Sequence, residues 1–284
     1  MPELPEVEIW KRRLGTVLEG AEVESALAPG VVTMKTYDPP ISALAGHTIE
    51  GTRRFAKMLC VDFSDDLSLL IHLMHGGRVR LFDKRASLRD KSARILIRLA
   101  DGRELRMVEF GTQQRAWGKL LLHDEVVNDE MVATLGPEAL PPPPVEQLAE
   151  LVRLPRHMHS LLRDQRVIAG IGRSWVDEIL WESLLSPFKR GADLDDDAVR
   201  RLHDAIGSTL QGALDHYEEV IPPDEVPDKP PMPLKVHNKQ GEDCPRCGAK
   251  LEAVFFRDYV TTYCPHEQTG GQVLKDRRLS RLLK

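Results

Sequence analysis

Apolar residues return at helical spacing from Val7 through Trp10 and Leu14 to Val17, which predicts an amphipathic helix at the start of the chain. Pro5 suits its first turn and Gly20 can end it, while Glu3, Glu6 and Glu8 complement the positive end of its dipole. The pattern then changes. "TIEGTRRF", "KMLCVDFS", "LSLLIHLM" and "GGRVRLF" are short β-branched or aliphatic runs separated by turn residues, and "ARILIRLADGRELRMVEF" sets Asp101 and Gly102 between two apolar runs as a hairpin turn would. Residues 1–130 therefore read as a β-rich domain with one flanking helix.

The four prolines at 141–144 mark a boundary, beyond which a helical domain is expected over 145–222. Leu148 and Leu151, and later Val199, Leu202, Ile206, Leu210, Leu214 and Tyr217, follow the helical period, with Asp193 or Asp195 available as a cap. Within "DQRVIAGIGRSWVDEIL", Gly170 and Gly172 break the helix, and Ser174 with Asp177 has the spacing of a capping box. Two glycines before a fresh helix can bring backbone N–H groups to a phosphate or merely make a tight turn. "PPDEVPDKPPMP" reads as a stiff, polar connector within a linker at 223–240. A finger over 241–272 and a basic tail over 273–284 complete the chain; the tail suits either a solvated helix or phosphate binding.

Composition adds the compartment and a metal. The 284 residues are 42% hydrophobic and 29% charged, with no apolar run long enough to span a bilayer and no basic–apolar leader, so a cytoplasmic protein is expected. Cys244, Cys247 and Cys264 crowd together in "CPRCGAKLEAVFFRDYVTTYCPHEQ", the spacing of a zinc ribbon rather than a disulfide framework. The fourth position could be filled by His266, Glu267, water or nothing, histidine being the better structural ligand. Cys60, in "MLCVDF", suits buried packing, and His72 suits a hydrogen-bonded core position. A net charge of −5 argues mildly against nucleic acid. Local clusters matter more: Arg53, Arg54 and Lys57; Arg78 and Arg80; and Lys275, Arg277, Arg278, Arg281 and Lys284.

The opening "MPELPEVE" carries the chemistry. Removal of Met1 would make Pro2 a free secondary amine, able to attack an electrophilic carbon and form an iminium ion as catalytic lysines do. An α-amino group titrates near ~8, and the positive end of a helix lowers its proton affinity further. Glu3 is then near enough to shuttle the proton.

"PELPEVE", Lys57, "DQRVIAGIGRSWVDEIL" and "CPRCGAKLE...TYCP" occur in the order found in the formamidopyrimidine-DNA glycosylase and endonuclease VIII family, which the chain resembles over nearly its whole length. The resemblance implies a multidomain α+β fold: an N-terminal β-sandwich with a flanking helix, an all-α helix-two-turn-helix domain, and a C-terminal zinc-ribbon-like β-hairpin finger, with DNA held between them. It implies a DNA repair glycosylase that excises oxidised or ring-opened bases, with abasic-site lyase activity, a structural zinc, damaged DNA as partner, no membrane association and a monomeric state. Pro2 would attack the sugar carbon, Glu3 would assist base departure and ring opening, Glu6 would support the pocket, and Lys57 would contact DNA beside the lesion.

Several positions depart from the family pattern. Arg173 stands where asparagine is usual beside Gly172, so an amide contact to phosphate would become a charged one. His75 aligns with the void-filling methionine, although Met74 is adjacent. "GTQQRAWG" resembles the family's arginine and phenylalanine loop, making Arg115 the residue that faces the orphaned base and Trp117 the intercalating wedge; by residue type alone Trp117 also suits a core position. Tyr259 aligns with the finger arginine, with Arg257 two residues earlier on the same expected strand face, and either could reach phosphate. These departures leave a second reading, a damaged-DNA-binding protein with weak or no catalysis.

Overall fold

A computed structural model describes residues 2–30, 32–87, 90–110, 114–257 and 259–274 of the chain. The basic residues from Lys275 onward, singled out above, lie outside the described residues. Two compact units are present, one of 1–134 with 214–231, the other of 135–213 with 232–284, so the division falls inside one long helix.

The first unit opens with α1 (Leu4–Leu18), followed by β1 (Val23–Leu27), β2 (Ile49–Phe55), β3 (Met58–Phe63), β4 (Leu67–His72), β5 (Gly77–Phe82), β6 (Ala93–Leu99), β7 (Glu104–Glu109), β8 (Trp117–Leu122) and the short α2 (Glu130–Ala133). The strands form two antiparallel four-stranded sheets, β1-β6-β7-β5 and β2-β3-β4-β8. Alternate residues of both sheets enter one core: Leu59, Val61, Leu69 and Ile71 from one, Ile95, Ile97, Leu105 and Met107 from the other, joined by Val7, Trp10 and Leu14 of α1. Each such buried side chain contributes about 1.5–3 kcal/mol relative to exposure. The expected β-sandwich with a flanking helix is thus present, and Gly102 (φ +93°) turns the β6–β7 hairpin. One segment differs. The loop expected to face DNA becomes β8 from Trp117 onward, paired with β4 through His72.

The second unit holds α3 (Val145–Val152), α4 (Met158–Leu161), α5 (Arg173–Glu182) and most of α6 (Asp196–Val220), then the hairpin β9 (Glu252–Phe255) and β10 (Val260–Tyr263), and α7 (Pro265–Thr269). Asp195 caps α6 by accepting the Ala198 N–H at 2.7 Å. The proline-rich connector is tied down at both ends rather than left as a bare spacer. In the first unit, Trp10 Nε1 donates to the Pro227 carbonyl at 2.7 Å and Asp228 pairs with Arg78 and Arg80. In the second, the buried Glu178 carboxylate accepts the backbone N–H groups of Lys235, Val236 and His237 at 2.8–2.9 Å, and Val236 is fully buried. No helix of the described residues is long and apolar enough to cross a membrane.

Candidate active site

The chain terminus is built around two buried carboxylates. Glu3 is the N-cap of α1, with extended backbone, and the Val7 N–H returns to its carbonyl at 3.0 Å to close the first turn. Its own N–H donates to Glu6 Oε2 at 2.8 Å, so the third helical residue reaches back as in a capping box. Glu6 Oε1 accepts the Tyr217 hydroxyl at 2.6 Å. Glu3 and Glu6 are 1% and 3% exposed, and Pro2, immediately ahead of them, is partly exposed. Burial, and then the Glu6 charge, push the Tyr217 phenol above its ordinary value, which keeps it a proton donor.

Lys57 is placed by its neighbours in the β2–β3 turn. Arg54 donates to Glu8 Oε2 of α1 and to the Ala56 carbonyl, both at 2.9 Å, and holds Ala56 in a left-handed conformation (φ +52°). Lys57 follows, 7% exposed. Its charge reaches His72, whose pKa falls to about 4, first through burial and then through Lys57 and His75. Neutral His72 accepts the Met74 N–H at Nδ1, 3.0 Å away. Met74 itself turns the chain with φ +49°, leaving His75 exposed at the β4–β5 turn.

Trp117 is not presented as a wedge. Only 9% exposed, it stacks on His72 with ring centroids 5.6 Å apart, because it is the first residue of β8 and lies directly across from His72 in the ladder. Arg115 is exposed. The residue behind it was not singled out from the sequence: buried Glu109 accepts the Arg115 and Ala116 N–H groups at 2.8 and 2.9 Å and pins the loop. A glutamate closing the apolar run "LRMVEF" is the signal that could have found it. Cys60 is inert packing, its thiol pushed up to about 12 by burial and then by the Asp62 charge.

In the second unit, Gly170 (φ +105°) makes the turn ahead of α5, and Gly172 is the N-cap with no side-chain cap. The expected Ser174–Asp177 capping box is absent because α5 already begins at Arg173. Asp177 instead lies buried, bonded to His237 Nδ1 at 2.7 Å and to the Thr262 N–H at 3.0 Å, and burial pushes its pKa up to about 6. Arg257 and Tyr259 do not share a strand face. Both fall in the β9–β10 turn, which the Phe256 N–H closes on the Tyr259 carbonyl at 2.8 Å, so alternation does not govern them. Arg257 is exposed and Tyr259 partly buried.

The donor atoms of Cys244, Cys247, Cys264 and Glu267 all lie within 4.8 Å of one another. Tetrahedral thiolates at ~2.3 Å from zinc stand about 3.8 Å apart, and the Cys247 and Cys264 sulfurs are 3.5 Å apart, so the set fits a single metal ion. His266 is corrected out of the ligand set. It is exposed on α7, one residue and therefore ~100° of helix away from Glu267, which faces the cysteines. Trp181 Nε1 donates to Cys244 Sγ at 3.4 Å, and Arg246 pairs with Glu267 at 3.3 Å.

Residues 1–119 match the family model described as formamidopyrimidine-DNA glycosylase N-terminal domain, and 135–221 that of the formamidopyrimidine-DNA glycosylase H2TH domain. The formamidopyrimidine-DNA glycosylase of Roseiflexus sp. (strain RS-1) is 33% identical over 281 residues, covering 94% of this chain and 100% of that protein. That of Lactococcus lactis subsp. cremoris is 30% identical over 275 residues, covering 93% and 98%. Among solved structures, wild-type Lactococcus lactis Fpg in complex with N7-benzyl-Fapy-dG-containing DNA aligns with a TM-score of 0.85 at 29% identity, over 94% of this chain and 100% of that one. The same protein with abasic-site DNA aligns with a TM-score of 0.83 at 28% identity, over 94% and 99%. With both domain models and full-length relatives in agreement with the architecture, the chain belongs to the formamidopyrimidine-DNA glycosylase family.

Proposed function

We propose that the Pro2 amine is the nucleophile of this DNA repair glycosylase and that Glu3, Glu6 and Lys57 serve it. The observation that carries this reading is the adjacency of Pro2 to the buried Glu3–Glu6 pair at the start of α1. With Met1 removed, the neutral amine attacks C1′ of the damaged nucleotide. The C1′–base bond breaks, and its electron pair leaves with the base, which takes up a proton. Glu3 shuttles the proton that opens the sugar ring, giving an iminium between Pro2 and C1′. Loss of a C2′ proton then expels the 3′ phosphate and nicks the strand. Base extrusion precedes attack, because C1′ is blocked in the stacked duplex.

Damaged DNA is the partner. Lys57, Arg115, His75, Gly172, Arg173 and Arg257 are read as its contacts, and an oxidised or ring-opened base as the group excised. The Lys57 and Arg115 assignments are supported by turns that hold each residue in place through Arg54 and Glu109. Zinc suits the three thiols and one carboxylate of Cys244, Cys247, Cys264 and Glu267, where it would knit the finger together and take no part in bond breaking. The chain is read as acting as a monomer.

Borohydride reduction of the protein mixed with abasic-site DNA tests the reading. A covalent adduct is expected from protein whose intact mass lacks Met1, and none from Pro2→Gly. Tight binding to abasic DNA without any adduct would favour a damage-binding protein instead.

A further inference from the structure

The segment ahead of β8 is held from below by two buried side chains of opposite charge. The Glu109 carboxylate takes the Arg115 and Ala116 N–H groups. One residue earlier, Arg94 of β6, only 6% exposed, donates from Nη1 to Gln114 Oε1 at 2.6 Å. The other end of that amide is tied as well, Gln114 Nε2 donating to the Lys91 carbonyl at 3.0 Å. Gly30 makes room for the guanidinium, since a Cβ there would stand 2.5 Å from Arg94 Cζ and 2.6 Å from Nη1. Among the described residues no carboxylate lies within ion-pair distance of Arg94, and its buried Nε has no acceptor.

A buried cation without a counter-charge is costly, and an apolar side chain of similar length would fill the same space at less cost to the fold. Packing alone therefore does not account for Arg94. What the charge adds is grip on Gln114, because a hydrogen bond from a charged donor in a low-dielectric setting is about twice as strong as a neutral one. Gln114 adjoins Arg115. An arginine distinguishes one base from another only while its forked donors are aligned with the acceptors on the base edge, so play at Gln114 passes directly into that alignment. We propose that Arg94 is a positioning residue for specificity, acting through Gln114 to keep Arg115 in register with the base opposite the lesion. This inference rests on the reading of Arg115 as the residue that faces the orphaned base.

The test uses the full chain lacking Met1 and four duplexes that carry an abasic site opposite cytosine, adenine, guanine or thymine. The rate of borohydride-trapped adduct formation is measured in single turnover with each. Wild type is expected to show a ratio of about ten or more between its fastest and slowest duplex, the discrimination one aligned arginine fork supplies. R94M and Q114A are each expected to cut that ratio about five-fold, and R94M/Q114A to cut it no further than either alone, because the two side chains act as one unit. A simple loss of stability would slow all four duplexes alike. Equal slowing with the ratio kept overturns the proposal, as does a double variant whose loss is the product of the two single losses. Should R94M fail to fold, Q114A decides the matter alone. The two levels separate in the wild type: equal trapping of all four duplexes removes the reading of Arg115 and the proposal with it, whereas a wild-type preference that survives in Q114A removes only the role of Arg94.

Discussion

The Tyr217 hydroxyl donates to Glu6 Oε1 over 2.6 Å, while Glu6 Oε2 takes the Glu3 N–H at 2.8 Å. Both oxygens of a buried carboxylate are therefore satisfied, one from its own helix and one from the last turns of α6. Tyr217→Phe removes one hydrogen bond to a buried carboxylate, a loss of about 1–3 kcal/mol. The expected outcome is a melting temperature lower by several degrees and slower single-turnover excision, with affinity for abasic-analogue DNA kept within a few-fold. A Tyr217→Phe protein equal to the wild type in melting and excision would remove Tyr217 from the support of the pocket.

Trp117 packs on His72 inside the sheet, so its truncation should act on the fold before it acts on DNA. Trp117→Ala is expected to destabilise the protein by about 3–5 kcal/mol in urea unfolding, in the range of other buried aromatic-to-alanine changes. Trp117→Phe should recover much of that loss. Full stability of Trp117→Ala with weakened DNA affinity would restore it to the role of wedge.

His72 is held neutral with its pKa lowered to about 4 from an ordinary value of 6.5. The unfolded chain binds this proton more readily than the native one between those values, so stability falls as pH drops from about 6.5 toward 4 and is fully present above that window. The loss reaches the order of 3 kcal/mol at the acid end. On acidification from neutrality toward pH 4, wild type should therefore lose stability that His72→Gln keeps, so the difference between their melting temperatures changes across this window. Parallel curves throughout would show that His72 does not titrate in this window.

The metal cluster predicts an order of zinc retention against a chelator. Glu267→Cys should hold zinc more tightly than wild type, because a fourth thiolate is the stronger donor and is released from competition with Arg246. Cys264→Ser should lose zinc readily, and His266→Ala should match wild type. Loss of zinc from His266→Ala would place the imidazole back among the ligands.

Sequence alone determined β2 to β7, the first and longest helices, the hairpin at Asp101–Gly102 and the cysteine spacing, because periodicity, turn chemistry and ligand spacing are local properties written in neighbouring residues; β1 and β8 escaped it. The family motifs added the order of the domains. Tertiary structure decided which polar side chains meet. Glu6 finds Tyr217 at a separation of 211 positions, Glu178 gathers three N–H groups of a linker read from sequence only as stiff and polar, and Asp177 leaves its apparent cap for His237. Helix phase selected Glu267 over His266, and strand pairing turned Trp117 inward. Tyr259 drew Arg163 and Arg173 to one ring from two distinct stretches of chain. Such pairings depend on burial and on the cost of leaving a polar group unpaired, quantities that come into being only when distant segments pack.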